Sequence, residues 1–264
     1  MVDATTPDPI ISIRDLVVGF GDKNVIDGFS LDVRKGEVLG VIGPSGSGKS
    51  VTLRALIGLL PKRGGTIDVF GEDYASLSYS QRVAIERRWG VLFQQGALFS
   101  SLTVLENVEF PMREHFDIPR KLRREIARFK IDLVGLSPDS ENLYPAELSG
   151  GMIKRAALAR ALALDPDIIF LDEPTAGLDP IGAARFDELV LNLKTALGLT
   201  VYMVTHDLDS LVTVCDRIAA LGQGRLLQVG TLAELQASDD PWLVDYFHGP
   251  RAEHHLEPKL NDGK

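Results

Sequence analysis

"EVLGVIGPSGSGKSVTLRALIGLL", residues 37–60, decides the fold. An apolar run that reads as a strand enters Gly43, passes through Gly46 and Gly48 and continues as a helix from about Lys49. That completes the pattern G-x-x-x-x-G-K-[ST] in its strand–loop–helix setting. Glycines let successive backbone N–H groups point inward at phosphate oxygens, and the helix start adds a positive pole. The loop Gly43, Pro44, Ser45, Gly46, Ser47, Gly48 is therefore a candidate nucleotide grip. Lys49 would reach the β- and γ-phosphates, and the Ser50 hydroxyl would take one corner of a Mg²⁺ octahedron.

Around this stretch, short β-branched runs ("FSLDV", "TIDVF", "WGVLF", "DIIFLDE", "TVYMVTH") alternate with helical segments. The expectation is an α/β fold with a mainly parallel core sheet. Strand signals over residues 10–35 lie too close together for crossovers, so an antiparallel β layer should form at one edge. From about 104 to 164 only helical periodicity remains, which predicts a helical subdomain over roughly 95–165, inserted in a domain of residues 10–245. Residues 1–9 should be a flexible N-terminus and 246–264 a C-terminal tail, flexible over its last fifteen or so residues, while Trp242, Tyr246 and Phe247 recur at near-helical spacing that would pack them on this chain's core or on a neighbour. His254 and His255 read as solvated.

The chain has 264 residues, 45% of them hydrophobic, and a net charge of −9. A substantial core is affordable, and the negative balance speaks against nucleic acid as a partner. Cys215 is the single cysteine, so no internal disulfide can form, and it reads as a small buried hydrophobe. No run approaches the length of a membrane span, and "MVDATTPDP" lacks the features of a signal peptide. A cytoplasmic location follows, with any membrane crossing left to another subunit.

"DIIFLDEP", residues 167–174, ends a buried strand in two carboxylates at the sheet edge where open α/β sheets bind ligands. Alternation along the strand would separate them: Asp172 toward the metal, Glu173 toward an attacking water. His206 ends the next strand, in "TVYMVTHDL", as a candidate γ-phosphate sensor. A second glycine turn, "LSGGM" at 148–152, heads another helix. Ser149, Gly150 and Gly151 would present N–H groups to a nucleotide held by a second copy of the chain, in a head-to-tail dimer.

These motifs, in this order, resemble the nucleotide-binding subunits of ABC transporters across residues 10 to about 235. The resemblance implies a P-loop NTPase cassette hydrolysing ATP with Mg²⁺. "GPSGSGKS" is similar to Walker A, "IIFLDE" to Walker B, and "AGLD" at 176–179 to the D-loop, in which Asp179 communicates across the dimer. Gln94, in "VLFQQGALF", matches the Q-loop residue that touches Mg²⁺ and the membrane subunits; His206 matches the switch histidine. Phe20, in "VVGFG", stands where the family stacks an aromatic on adenine. Two positions depart from the usual pattern. Met152 replaces the common glutamine, and Val51 replaces a hydroxyl residue, leaving only its backbone N–H for the α-phosphate.

The segment "FQQGALFSSLTVLENVEFPMREH", together with the methionine of "LSGGM", resembles ATPases of bacterial Mla/Mce-type (MlaF-like) phospholipid transport systems. That implies a polytopic permease (MlaE-like), a periplasmic MCE lipid-binding protein (MlaD-like), a small STAS-domain protein (MlaB-like) and a peripheral place on the cytoplasmic face of the inner membrane. Other ABC importers or exporters, for amino acids, lipoproteins or solvents, and a soluble ABC ATPase acting on ribosomes or DNA are the alternatives. A P-loop kinase would leave "LSGGM" without a purpose.

Overall fold

The computed structural model describes residues 9–249. The expected flexible N-terminus lies outside that range except for Pro9, as do His254, His255 and the tail from residue 250. In chain order the elements are β1 (Pro9–Phe20), β2 (Lys23–Arg34), β3 (Val38–Ile42), α1 (Lys49–Leu56), β4 (Gly64–Val69), β5 (Glu72–Asp73), α2 (Tyr79–Glu86) and β6 (Trp89–Leu92). Then follow α3 (Val104–His115), α4 (Arg120–Leu133), α5 (Gly150–Ala161), β7 (Ile168–Asp172), α6 (Pro180–Leu197), β8 (Thr200–Val204) and α7 (Leu208–Val214). The chain closes through β9 (Arg217–Gly222), β10 (Arg225–Gly230), α8 (Leu232–Gln236) and α9 (Pro241–His248).

Two sheets form. The core sheet has the order β10-β9-β3-β8-β7-β6, parallel from β9 to β6 and antiparallel only at β10. The edge layer, β2-β1-β4-β5, is antiparallel throughout. Residues 10–35 thus form the antiparallel hairpin that their close spacing predicts. Strands β3, β7 and β8 are buried along their whole length, which explains why they read as unbroken apolar runs rather than alternating ones. Ile168 and Phe170 of β7, with Tyr202 and Val204 of β8, face the edge layer, where they meet Ile26 and Phe29. Ile169, Leu171, Val201 and Met203 face the opposite side and meet α3, α5 and α6.

Helices α3, α4 and α5 fill the stretch between β6 and β7, where helical periodicity alone is present. Leu105, Val108 and Met112 of α3, Ala127 and Ile131 of α4 and Ala156 of α5 share one core. Sequence reading misses β9 and β10. "RIAALG" is alanine-rich and weak in β-propensity, and only its burial between layers makes it a strand.

The domain edge expected at 245 falls inside α9. Asp240 caps that helix by accepting from the N–H groups of Trp242 and Leu243, and Pro241 opens it. Leu243 and Phe247, four residues apart, bury against Ile42, Ile218, Ala220 and Leu235. Cys215 is half-buried as a residue, with its sulfur packed inward 2.6 Å from where a Cβ on Gly40 would lie, and burial of that sulfur pushes the thiol pKa up.

Candidate active site

Four neighbouring parallel strands, β3, β8, β7 and β6, deliver their carboxyl ends to one edge of the core sheet. The phosphate loop follows β3, His206 follows β8, Asp172 and Glu173 end β7, and Gln94 follows β6. Residues scattered over more than a hundred positions in sequence are thereby gathered where ligands of open α/β sheets bind.

In the phosphate loop, Gly43, Gly46 and Gly48 all have positive φ, at 154°, 80° and 104°. Gly43 also has no room for a side chain. A Cβ there would lie 2.3 Å from the Leu221 carbonyl oxygen and 2.6 Å from Ser47 Oγ. Pro44 and Ser45 are exposed, while Ser47 is buried with a hydroxyl that has no partner among the described residues. The ammonium of Lys49 donates to the carbonyls of Gly43 at 2.7 Å and Pro44 at 3.1 Å. Burial pushes its pKa down, opposed by Glu173 and then Asp172. Val51, half-buried in α1, packs against the core.

Ser50 Oγ lies 3.5 Å from Asp172 Oδ1. Burial, and then the charge of Glu173, raise the pKa of Asp172. A hydroxyl and a carboxylate side by side, with Gln94 at the end of the neighbouring strand, supply only part of an oxygen shell. That partial set suits Mg²⁺, which retains waters and phosphate oxygens.

Glu173 differs from expectation in how it is aimed. Strand β7 stops at Asp172, and Glu173 turns away with a left-handed φ of 49°. The two carboxylates are therefore separated by a strained turn rather than by strand alternation. The Glu173 N–H donates to the Val204 carbonyl at 2.9 Å, and its Oε2 lies 2.7 Å from His206 Nδ1. The imidazole is 70% exposed while the glutamate side chain is 14% exposed, so the histidine covers the acid from the solvent side. A cleft of about 370 Å³ lined by Gly177, Leu178 and Asp207 opens beside this pair.

Phe20 sits at the end of β1 with 54% of its surface exposed, free to stack on a planar ring. Asp179 caps α6, its Oδ1 accepting from the Gly182 N–H at 2.9 Å. Ser149 caps α5, accepting from Met152. The glycines after it have no internal justification. Neither Gly150 nor Gly151 has positive φ. A Cβ on Gly151 would meet nothing within 4 Å, and one on Gly150 would meet only Leu178 Cδ2 at 3.9 Å.

Sequence reading passes over Lys154, whose buried ammonium donates to the backbone carbonyls of Gln94 and Glu173. A signal was present. Lys154 shares a helix face with Ala157, Leu158 and Ala161, so the periodicity of "KRAALARA" points it inward. Also missed is a polar chain behind the site. Ser210 Oγ donates to Asp187 at 2.7 Å and approaches Thr175 Oγ1 at 3.5 Å, which in turn reaches Asp207.

The family model for "ABC transporter" matches residues 26–176. The chain is 39% identical over 240 residues to the intermembrane phospholipid transport system ATP-binding protein MlaF of Haemophilus influenzae, covering 91% of this chain and 90% of that one. It is 41% identical to the probable ribonucleotide transport ATP-binding protein mkl of Mycobacterium leprae, over 91% of this chain and 69% of the other. Among solved structures, the dimeric bacterial ABC transporter cassette MJ0796 superposes with a TM-score of 0.78 at 31% identity, covering 84% of this chain and 98% of that one. The same cassette is known as a post-hydrolysis dimer bound to ADP and Pi.

Proposed function

This chain belongs to the ABC transporter family of ATPases, and on that premise we propose that two copies sandwich ATP and hydrolyse it to move phospholipid between the inner and outer membranes of a bacterium. The sandwich is supported above all by Gly150 and Gly151. A glycine costs up to about 1 kcal/mol relative to alanine in a helix interior, and nothing among the described residues requires either glycine of this first turn. A nucleotide pressed against that turn by the partner copy would. The N-terminal amides of α5 and the Ser149 hydroxyl then face the phosphates from one side, and the amides of the phosphate loop face them from the other.

On this reading Phe20 stacks on adenine, Lys49 neutralises the β- and γ-phosphates, and Asp179 lies at the seam between copies. Ser50, Asp172 and Gln94 would hold Mg²⁺, which when bound spreads the negative charge of the phosphate oxygens. Glu173 orients a water and accepts its proton as the water oxygen attacks the γ-phosphorus and the bond to ADP breaks. His206, with Nδ1 against Glu173, keeps the carboxylate aimed and offers Nε2 to the γ-phosphate.

Among the described residues no helix is long and apolar enough to cross a membrane, so transport requires a polytopic permease (MlaE-like), with the ATPase on the cytoplasmic face of the inner membrane. An MCE protein (MlaD-like) and a STAS-domain protein (MlaB-like) complete the proposed assembly. The phospholipid cargo is supported by the MlaF relatives, which match over nearly their whole length.

Deleting the gene should raise phospholipid in the outer leaflet of the outer membrane, measured by surface lipid labelling. The wild-type gene should reverse this and Glu173→Gln should not. Normal lipid asymmetry alongside a defect in nucleotide uptake would instead favour the cargo in the name of the mycobacterial relative. For the sandwich, Glu173→Gln with ATP and Mg²⁺ should double in mass by light scattering, and adding Ser149→Arg should return it to a monomer.

A further inference from the structure

Lys154 is 4% exposed, and a buried ammonium is costly unless its protons find acceptors. Among the described residues no carboxylate lies within 4.0 Å of it; its partners are two backbone carbonyls, of Gln94 and, at 2.9 Å, of Glu173. Burial lowers its pKa, with Glu173 and then Asp172 opposing. Two turns on, Arg160 of the same helix donates to the carbonyls of Gly96 and Ala97. The segment from Gln94 to Ala97 is therefore tethered to α5 by two cations. Only Lys154 reaches further, to Glu173, whose left-handed backbone needs holding from outside.

We propose that Lys154 is a positioning residue for hydrolysis: it locks the backbones of Glu173 and Gln94 to the helix that begins at Ser149, so the general base is aimed when the "LSGGM" turn is seated. The helix that would meet the partner's nucleotide and the acid that would attack this copy's nucleotide are joined by one side chain. A lysine suits this place because one ammonium has three protons in a compact head and can serve two carbonyls at once. Glutamine has two amide protons on an uncharged head one bond shorter, and methionine, of matching length, has none to donate. The inference rests on the reading of Glu173 as the base.

The test uses the full chain in the complex with which it copurifies, reading kcat, KM and the Kd for ATP. Lys154→Met should lower kcat roughly tenfold to a hundredfold by misplacing the base. The Kd for ATP should stay within about twofold, the split expected when an interaction matters only in the transition state. Lys154→Arg, which keeps charge and several donors, should recover most of the rate. Wild-type turnover in Lys154→Met with a dead Glu173→Gln overturns the Lys154 assignment alone. An active Glu173→Gln overturns the reading beneath it. Should Lys154→Met fail to fold, Lys154→Gln takes its place, and a fall in ATP affinity that matches the fall in kcat counts against the proposal. If neither variant folds, Lys154 is architectural and the proposal falls.

Discussion

Asp187 shows how far one side chain can depart from its ordinary chemistry. It is buried on α6, accepts from Ser210 through one oxygen and has no partner for the other among the described residues, and burial pushes its pKa up to about 6, with Asp207 and Asp209 adding to the rise. A raised carboxyl pKa means that the folded state prefers the protonated form. Its contribution is fully favourable below the unfolded value near 4 and is lost as pH climbs through about 6. Replacing it with asparagine, which keeps an acceptor for Ser210, should therefore change little at pH 4. Above pH 6 the variant should be more stable than wild type by on the order of 3 kcal/mol. Urea unfolding at several pH values checks this, and a pH-independent difference would contradict it. Asp187 was invisible in sequence because nothing about an aspartate in an amphipathic helix announces that its neighbours are Ser210 and Thr175. Lys49, Ser50 and Glu173 were legible because a fixed spacing carries their chemistry. The left-handed twist at Glu173 was not, since no glycine marks it.

At the scale of an element, α6 carries its boundaries openly. Asp179 caps it, Pro180 occupies the first turn and Gly198, with φ of 66°, ends it. Asp179→Ala should cost about 1 kcal/mol of stability by thermal or chemical denaturation. Asp179→Asn should cost little, since the amide oxygen can accept from Gly182. Any loss of turnover in Asp179→Asn would then point to the lost charge at the proposed seam between copies and not to a frayed helix. The strands β3, β7 and β8 were equally legible, because burial on both faces writes an unbroken apolar run. Strand β9 was not, since alanine packed between layers has no strand signature of its own, and α9 runs past the expected domain edge at 245 because Phe247 reaches back to a distant cluster.

At the scale of the molecule, the proposed sandwich of two copies would account for an apparent defect. Gly151→Ala should stabilise the isolated chain by up to about 1 kcal/mol by filling a helix position that is open here. It should also slow ATP turnover in the assembled complex. Equal or faster turnover would indicate that no phosphate approaches this turn. The core sheet has one more consequence, which concerns synthesis. Strand β3, which feeds the phosphate loop, pairs only with β8 and β9; Val38 sits beside Val201, about 160 residues downstream. At roughly 5–20 residues per second the ribosome needs about 8 to 30 s to make the missing neighbours. During that interval an entirely apolar strand waits without a sheet on the nascent polypeptide, a target for chaperones and a reason for slow codons to be harmful between the two.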